Sequence, residues 1–558
     1  MNNSNANLEN PFGLSAPRFE QYLEFPARRS PIVCKNGVVA TSQPLAAQAG
    51  LSILQKGGNA ADAAVATAAA LNVVEPMSTG VGGDCFCLFF NAKKKKVYGI
   101  NGSGRCPAEL TIEKIREDGI IKNKLPASSP HAVTVPGTVA GWIDTIEKFG
   151  TMPINTILKP AISLARNGFP VSPLIALAWS MGQVKLWRTE HGKELLKNGK
   201  SPMPGEIFRN RSLANVLTEI SEKGEVGFYQ GWVADRIIEI LKDKGAMMTH
   251  EDLKGHTSKI VKPIRTNYRG IDVYEIPPNG QGITALIALN ILEEFNIAEL
   301  DIYSADYYHI LIEALRLAFS DAKYWIADPE FQYIPIQQLI SKEYSKDRAK
   351  LVNLNKATLD HQHGVFEDHS DTVYLSVVDG FGNACSFINS NYAAFGTGIV
   401  PKSTGFVLQN RGACFILDPD HPNALEPNKR PYHTIIPGMA TKDGELYASF
   451  GVMGGIMQPQ GHVQVLSKMI DHGYEPQTAL NAPRFCIHGG NPNGAVHLEE
   501  GISEDIIHEL KKRGHHIIHT IKLQRHIFGN GQIIRRNEKN GVLWAGSEPR
   551  CDGCAYGF

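Results

Sequence analysis

The sequence has no surplus of charge of either sign: 56 basic residues balance 56 acidic ones, and the formal net charge is zero. A nucleic-acid binder normally carries a basic excess or a clustered basic stripe. The one basic run, Lys93 to Lys96, sits between two apolar segments and reads as the solvated tip of a hairpin. Long hydrophobic runs are also missing. The longest, Ala63 to Val74, is bounded by Asp62 and Glu75 and is too short to cross a bilayer, so it reads as a buried helix. No basic stretch followed by an apolar one opens the chain, which makes the cytoplasm the expected location. The nine cysteines are odd in number and scattered from Cys34 to Cys554, which excludes a paired disulfide framework and fits a reducing compartment. Cys551 and Cys554 form a lone C-x-x-C without the second pair that a structural zinc site wants. There is no Gly-x-Ser-x-Gly elbow, and no glycine-rich loop has P-loop or dinucleotide spacing. The expectation is therefore no cofactor, no metal, no nucleic acid and no membrane.

What is present is an ordinary globular composition at considerable length. The chain has 558 residues, of which 43% are hydrophobic and 20% charged, enough to bury a large core. Residues 1–12 are polar and aperiodic and read as disordered. Val38 to Thr41 reads as a strand. Pro44 to Lys56 has helical spacing and is ended by Gly57-Gly58, and Asn59 caps a second helix over Ala60 to Val73. A glycine-rich turn, Thr79 to Gly83, leads into strands at Cys85–Asn91 and Lys96–Asn101. The middle of the chain, from about 135 to 350, is helix-rich, with 3.6-residue periodicity over Tyr303 to Ala322. Residues 353–371 then lose all periodicity and read as an exposed loop. Its His361, His363, Asp368 and His369 suit a solvated segment better than a metal site.

After that loop the pattern turns abruptly to period two. Thr372 to Val378 and Ala384 to Ser390 read as strands joined by the turn Asp379-Gly-Phe-Gly-Asn383. Further strands are expected at 404–409 and 446–452, a helix over about 461–473, and a closing β region. With a symmetric turn, Val378 faces Ala384, Ser376 faces Ser386, and Thr372 faces Ser390, with opposed Cβ atoms about 4.5–5.5 Å apart. A bulge would shift that partner by one. Asn389 and Asn391 lie beside it. Taken alone, a threonine at the start of a strand is unremarkable.

The segment Asp371-Thr-Val-Tyr-Leu-Ser-Val-Val-Asp-Gly-Phe-Gly-Asn383 resembles the start of the small subunit of the γ-glutamyltranspeptidases. Other blocks follow in the same order: Gly57 to Thr67, Val74 to Gly83, Val135 to Gly141, Phe395 to Gly398, Pro427 to Pro431, Gly454-Gly455 and Glu548-Pro-Arg550. The resemblance implies an α+β, four-layer αββα N-terminal-nucleophile hydrolase sandwich. It implies self-cleavage between Asp371 and Thr372 into a large subunit, 1–371, and a small subunit, 372–558, which stay associated as one composite domain, with a dimer of such pairs as a further expectation. Thr372 is then the nucleophile. Its newly exposed α-amine, with a reference pKa of about 7.7–8.0, is the base. The backbone N–H groups of Gly454 and Gly455 would form the oxyanion hole, and Asn391 or Ser390 would hold the threonine.

The chain departs from the glutathione-cleaving pattern where substrate is bound. Ser103 stands at the place of the arginine that holds the α-carboxylate, with Arg105 two residues on as a substitute. Cys414 stands where an aspartate binds the α-amino group, Arg411 lies close by, and His433-Thr434 match a Ser-Ser pair. A site that loses the aspartate and gains an arginine disfavours ammonium and favours anions. The expected substrate is a small anionic amide without a free α-amine, oxamate-like or glutaryl-like. Two other readings stay open: a true γ-glutamyl hydrolase or transpeptidase acting on glutathione, and an unprocessed, inactive scaffold on the same fold.

Overall fold

In the computed structural model, residues 29–359 and 371–558 are described. Two seven-stranded sheets dominate these residues. Their strands, in chain order, are β1 (Ile32–Cys34), β2 (Gly37–Thr41), β3 (Asp84–Asn91), β4 (Lys96–Gly102), β5 (Lys259–Val261), β6 (Ile264–Tyr268), β7 (Ile271–Glu275), β8 (Asp371–Asp379), β9 (Ala384–Tyr392), β10 (Gly438–Lys442), β11 (Glu445–Met453), β12 (Asn530–Arg536), β13 (Leu543–Ser547) and β14 (Cys554–Gly557). The first sheet runs β14-β2-β8-β9-β3-β4-β5 and the second β1-β13-β12-β11-β10-β7-β6. The sheet pairings are antiparallel.

Strand alternation sorts the core into layers. On β8, Val373, Leu375 and Val377 face a helical layer that includes α1 (Pro44–Gln55), α2 (Ala60–Val74) and α3 (Thr138–Phe149). Tyr374 and Val378 point the other way, to the space between the sheets, where they meet Ile435, Met439, Leu446 and Ile534. The outer face of the second sheet packs on α4 (Gly282–Leu292), α5 (Ala305–Trp325) and α6 (Met457–Ile470) through Val273, Ala448, Phe450 and Val452. The order helix, sheet, sheet, helix is the four-layer α+β sandwich expected from the sequence.

Local signals explain the elements around the site. Asn59 accepts from the N–H groups of Ala61 and Asp62, while Asp62 accepts from Asn59 N at 2.9 Å, a reciprocal cap that starts α2. Asp379, in the hairpin turn, accepts from Ala60 N at 3.0 Å and locks that helix start onto the β8–β9 hairpin. α2 is buried on every side, as its alanine-rich sequence requires. The turn before β3 is glycine by necessity: a Cβ on Gly82 would lie 2.2 Å from Val407 O, and one on Gly83 would lie 2.3 Å from Ser390 O.

One expected strand does not form. Residues 404–409 find no sheet partner because their backbone turns back on its own loop, with Leu408 N donating to Ile399 O at 2.9 Å and Thr397 N to Leu408 O at 3.0 Å. The helix expected over 461–473 starts earlier, at Met457, and ends at Ile470. The expectations for residues 1–12 and for His361, His363, Asp368 and His369 fall outside the described residues.

Candidate active site

The hairpin register follows the symmetric pairing from Val378↔Ala384 to Val373↔Asn389, and then an irregularity intervenes, with Asp371 opposite Tyr392. The side chain at the irregular position still reaches across. Thr372 Oγ1 lies 3.0 Å from Ser390 Oγ, and both residues are buried. Thr372 has the same parity as Tyr374 and Ser376, so it points between the sheets.

The second sheet supplies the rest of the site at that edge. Ser376 Oγ donates to Ser449 at 2.6 Å (Oγ), and a Cβ on Gly451 would touch the Tyr374 ring at 2.5 Å. β8 and β11 therefore stack in opposite directions, and two further residues along the contact bring Thr372 to the end of β11 at Met453. Gly454 and Gly455 follow there with φ of 134° and 57°, values that favour glycine. Their backbone then enters α6, so their N–H groups stand at a helix N-terminus, where negative charge is stabilised. Neither N–H donates to any described residue.

A buried hydrogen-bond chain joins these pieces. Arg411, in a single 3-10 turn (Arg411–Cys414), is fully buried. Its Nη2 donates to Ser390 Oγ at 3.4 Å and its Nη1 to Thr434 Oγ1 at 2.8 Å. The guanidinium carbon lies 4.4 Å from the Tyr392 ring centre, a cation–π contact. Gln281 Nε2 donates to both Thr434 O (2.5 Å) and Gly455 O (2.8 Å), and Tyr432 OH donates to Gln281 Oε1 at 2.7 Å. The path thus runs Thr372, Ser390, Arg411, Thr434, Gln281, Gly455 without a break. Arg411 Nε has no hydrogen-bond partner, and no carboxylate pairs with Arg411 among the described residues.

His433 stands behind this chain. Its Nδ1 accepts from Ile435 N at 3.4 Å, so its Nε2 carries the proton and donates to Asp84 Oδ2 at 3.0 Å. Burial, and next the charge of Arg411, push its pKa down to about 4, against the hydrogen bond it donates to Asp84, so the ring is neutral. Asp84 is fully buried and also accepts from Gly104 N, Gly137 N and Gln409 Nε2 at 3.0, 3.2 and 2.9 Å. That carboxylate pins three separate loops to the base of the site.

Two of the expected residues are placed elsewhere. Asn391 has the parity of Asn389 and turns to the helical side of the sheet. Its amide lies over Gly80 and Gly83, has no hydrogen-bond partner, and makes no bond to Thr372. Of the pair Ser390 and Asn391, only Ser390 is brought to the threonine. Arg105 is held by Glu330 at 2.5 Å and donates to Asn428 O at 2.6 Å, with no bond to the chain just described. Asp84, Gln281 and Tyr392 were not singled out from the sequence. For Asp84 a signal existed: it is the one acid at the head of an otherwise apolar strand, directly after Gly82-Gly83. Gln281 carried none, because its role is fixed by the distant Thr434 and Gly455.

Comparison with known proteins bears directly on this arrangement. The family model for gamma-glutamyltranspeptidase matches residues 46–558. The glutathione hydrolase-like YwrD proenzyme of Bacillus subtilis is 38% identical over 526 residues, covering 93% of this chain and 98% of that protein. The oxamate amidohydrolase proenzyme of Klebsiella pneumoniae is 32% identical, covering 94% of this chain and 99% of that protein. Among solved structures, the cephalosporin acylase from Bacillus halodurans superimposes with a TM-score of 0.89 at 42% identity, covering 98% of each chain.

Proposed function

The chain belongs to the γ-glutamyltranspeptidase family, amide-hydrolysing and acyl-transferring enzymes of the N-terminal-nucleophile type, and on that premise we propose that it is a proenzyme cut between Asp371 and Thr372 whose freed threonine takes acyl groups from small anionic amides without a free α-amine. In the cut, Thr372 Oγ1 attacks the carbonyl carbon of Asp371. The peptide C–N bond breaks, an ester to Oγ1 forms, and the former amide nitrogen becomes the α-amine. Water then releases the Asp371 carboxylate. The same atoms serve the mature enzyme: the α-amine accepts the hydroxyl proton, Oγ1 forms the acyl ester, the amine product leaves with the proton, and water or an acceptor amine clears the ester. Ser390 Oγ, 3.0 Å from Oγ1, orients the nucleophile. The N–H groups of Gly454 and Gly455 receive the oxyanion.

The observation that carries the substrate reading is Arg411, a fully buried guanidinium beside the nucleophile with two hydroxyls and an aromatic face but no carboxylate among the described residues. A buried cation without a counter-charge costs several kcal/mol, and an anionic substrate removes that cost on binding. Relatives of 32% and 42% identity whose names are an oxamate amidohydrolase and a cephalosporin acylase support the reading, whereas the name of the B. subtilis relative favours the glutathione alternative. The cytoplasm, expected from the cysteine usage, is part of the same proposal.

Intact mass under denaturing conditions, with Thr372→Ala alongside, tests the cut, and native mass tests the association of the products. Two fragments that break at Asp371/Thr372, with an uncut variant, are expected. A folded, uncut wild-type chain sinks the proposal in favour of a scaffold. Turnover of glutaryl and oxamyl amides against glutathione then decides the substrate, and preferential release of glutamate from glutathione overturns the anionic-amide reading.

A further inference from the structure

Away from the active edge, three metal-ligating side chains converge in the interior. His309 and Glu313 lie one turn apart on the same face of α5, and His515 follows the helix Glu504–Lys512 near the end of the chain. All three are buried, and one ligand atom from each lies within 4.8 Å of the others. We propose that His309 Nδ1, His515 Nε2 and a carboxylate oxygen of Glu313 bind a divalent transition-metal ion of the zinc type.

The hydrogen bonds around the cluster orient it for this. His309 Nε2 lies 2.7 Å from Asn353 O, which can only accept, so Nε2 carries the proton and the Nδ1 lone pair is free. That is the outer arrangement that holds a ligating imidazole, its second nitrogen donating to a backbone carbonyl. His515 Nε2 lies 2.7 Å from His309 Nδ1 and donates to it when no metal is bound. This leaves His515 Nδ1 as a buried acceptor with no partner. A shift of that proton to Nδ1 frees Nε2 as a ligand, with no net proton released. Glu313 Oε2 accepts from Thr358 N at 2.9 Å, whereas Oε1 has no hydrogen-bond partner. Both imidazoles are buried, and the hydrogen bonds of the cluster account for one proton on each ring.

Arg316 sets the limit on affinity. Its Nε stands 3.6 Å from Glu313 Oε1, too far for a hydrogen bond but close enough to repel a dication, while its terminal nitrogens donate to Pro492 O and Gly494 O. Two imidazoles, one carboxylate and a neighbouring guanidinium select a metal with high affinity for nitrogen, Zn²⁺, Co²⁺, Ni²⁺ or Cu²⁺, over Ca²⁺ or Mg²⁺. Metal–nitrogen bonds of about 2.0–2.1 Å in tetrahedral geometry require the two nitrogens to move apart to roughly 3.3 Å, with water as the fourth ligand. The ligands come from both sides of Asp371–Thr372 in sequence, so the ion cross-links the two segments whether or not the chain is cut. The inference is thus independent of the acyl-transfer reading.

The test uses the full-length, tag-free chain, stripped with a chelator and titrated with Co²⁺ alone. One Co²⁺ per chain is expected, with the visible d–d absorption of a four-coordinate site, displaced by Zn²⁺, and Zn²⁺ is expected to raise the Tm. His515→Ala should abolish the band. Glu313→Gln, which keeps the side-chain shape and serves if the first variant does not fold, should weaken Co²⁺ binding at least about tenfold. No saturable binding by the wild type overturns the proposal. So does a band that survives both substitutions, or one that is lost in a Cys551→Ser, Cys554→Ser variant instead.

Discussion

Two groups of buried arginines in this molecule differ in how their charge is met. Arg484 and Arg550 lie among carboxylates: Arg484 Nη2 donates to Glu548 Oε2 at 2.9 Å, and Arg550 bonds Glu548 Oε1 at 2.6 Å and Glu499 Oε2 at 2.5 Å. Burial alone pushes those carboxyls up, but the arginines outweigh it and hold both below the usual range. Arg411 is equally buried and has hydroxyls and a ring in place of carboxylates. A compensated group belongs to the fold, and its removal leaves a stranded charge. An uncompensated cation beside a nucleophile is complete only when a ligand brings the anion. On the proposed function, charge balance more than burial separates Arg484 and Arg550, which serve the fold, from Arg411, which would serve the substrate.

The comparison can be broken in four places. The largest effect is expected at the proposed nucleophile: Thr372→Ala should leave the chain uncut and inactive, whereas Thr372→Ser keeps a hydroxyl and should still cut, both read by intact mass. Cleavage in the alanine variant would remove the active edge from consideration. Next is Arg550→Met, which takes one of two arginine partners from each carboxylate, leaving Glu548 with Arg484 and Glu499 with the part-exposed Arg525, and should lower stability by about 3 kcal/mol, seen as a reduced urea midpoint or loss of soluble protein. Arg411→Met removes a charge that has no carboxylate partner among the described residues, so its stability should stay within about 1 kcal/mol of wild type, while kcat/KM for an anionic donor falls at least about tenfold. If both variants lose similar stability, the distinction between the two groups collapses.

The smallest effect is a pH slope. His433 titrates near 4 in the folded protein, against an ordinary 6.5. Between those values the unfolded chain binds a proton that the native state refuses, so this contribution is complete above pH 6.5 and is lost as pH falls towards 4. His433→Asn should flatten the dependence of the urea midpoint on pH by about one proton over that window. An unchanged slope would mean that His433 does not sense Arg411 and the buried environment in this way.

Much of the fold was legible because it rests on local rules. Asn59 as a cap, the nearly all-apolar α2 and the period-two hairpin of Thr372 to Ser390 all appear as read. The strand expected at 404–409 failed because its apolar run satisfies its backbone within a loop, which no periodicity reveals. The site was legible only in part. The hairpin brings Thr372 and Ser390 together by pairing alone, but Asn391 is one step out of phase and faces the helices.

By itself, the sequence determined the elements, the family-wide order of motifs and the hydroxyl pair across the hairpin, since helix caps, strand alternation and a five-residue turn act over short distances. Tertiary structure alone decided the rest. Residues 174 to 349 positions apart, Asp84 with His433, Gln281 with Gly455, and His309 with His515, meet only because the two sheets stack face to face between helical layers. The burial that this stacking creates also fixes Arg484 and Arg550 to their carboxylates and, on the proposed function, leaves Arg411 as a seat for substrate charge.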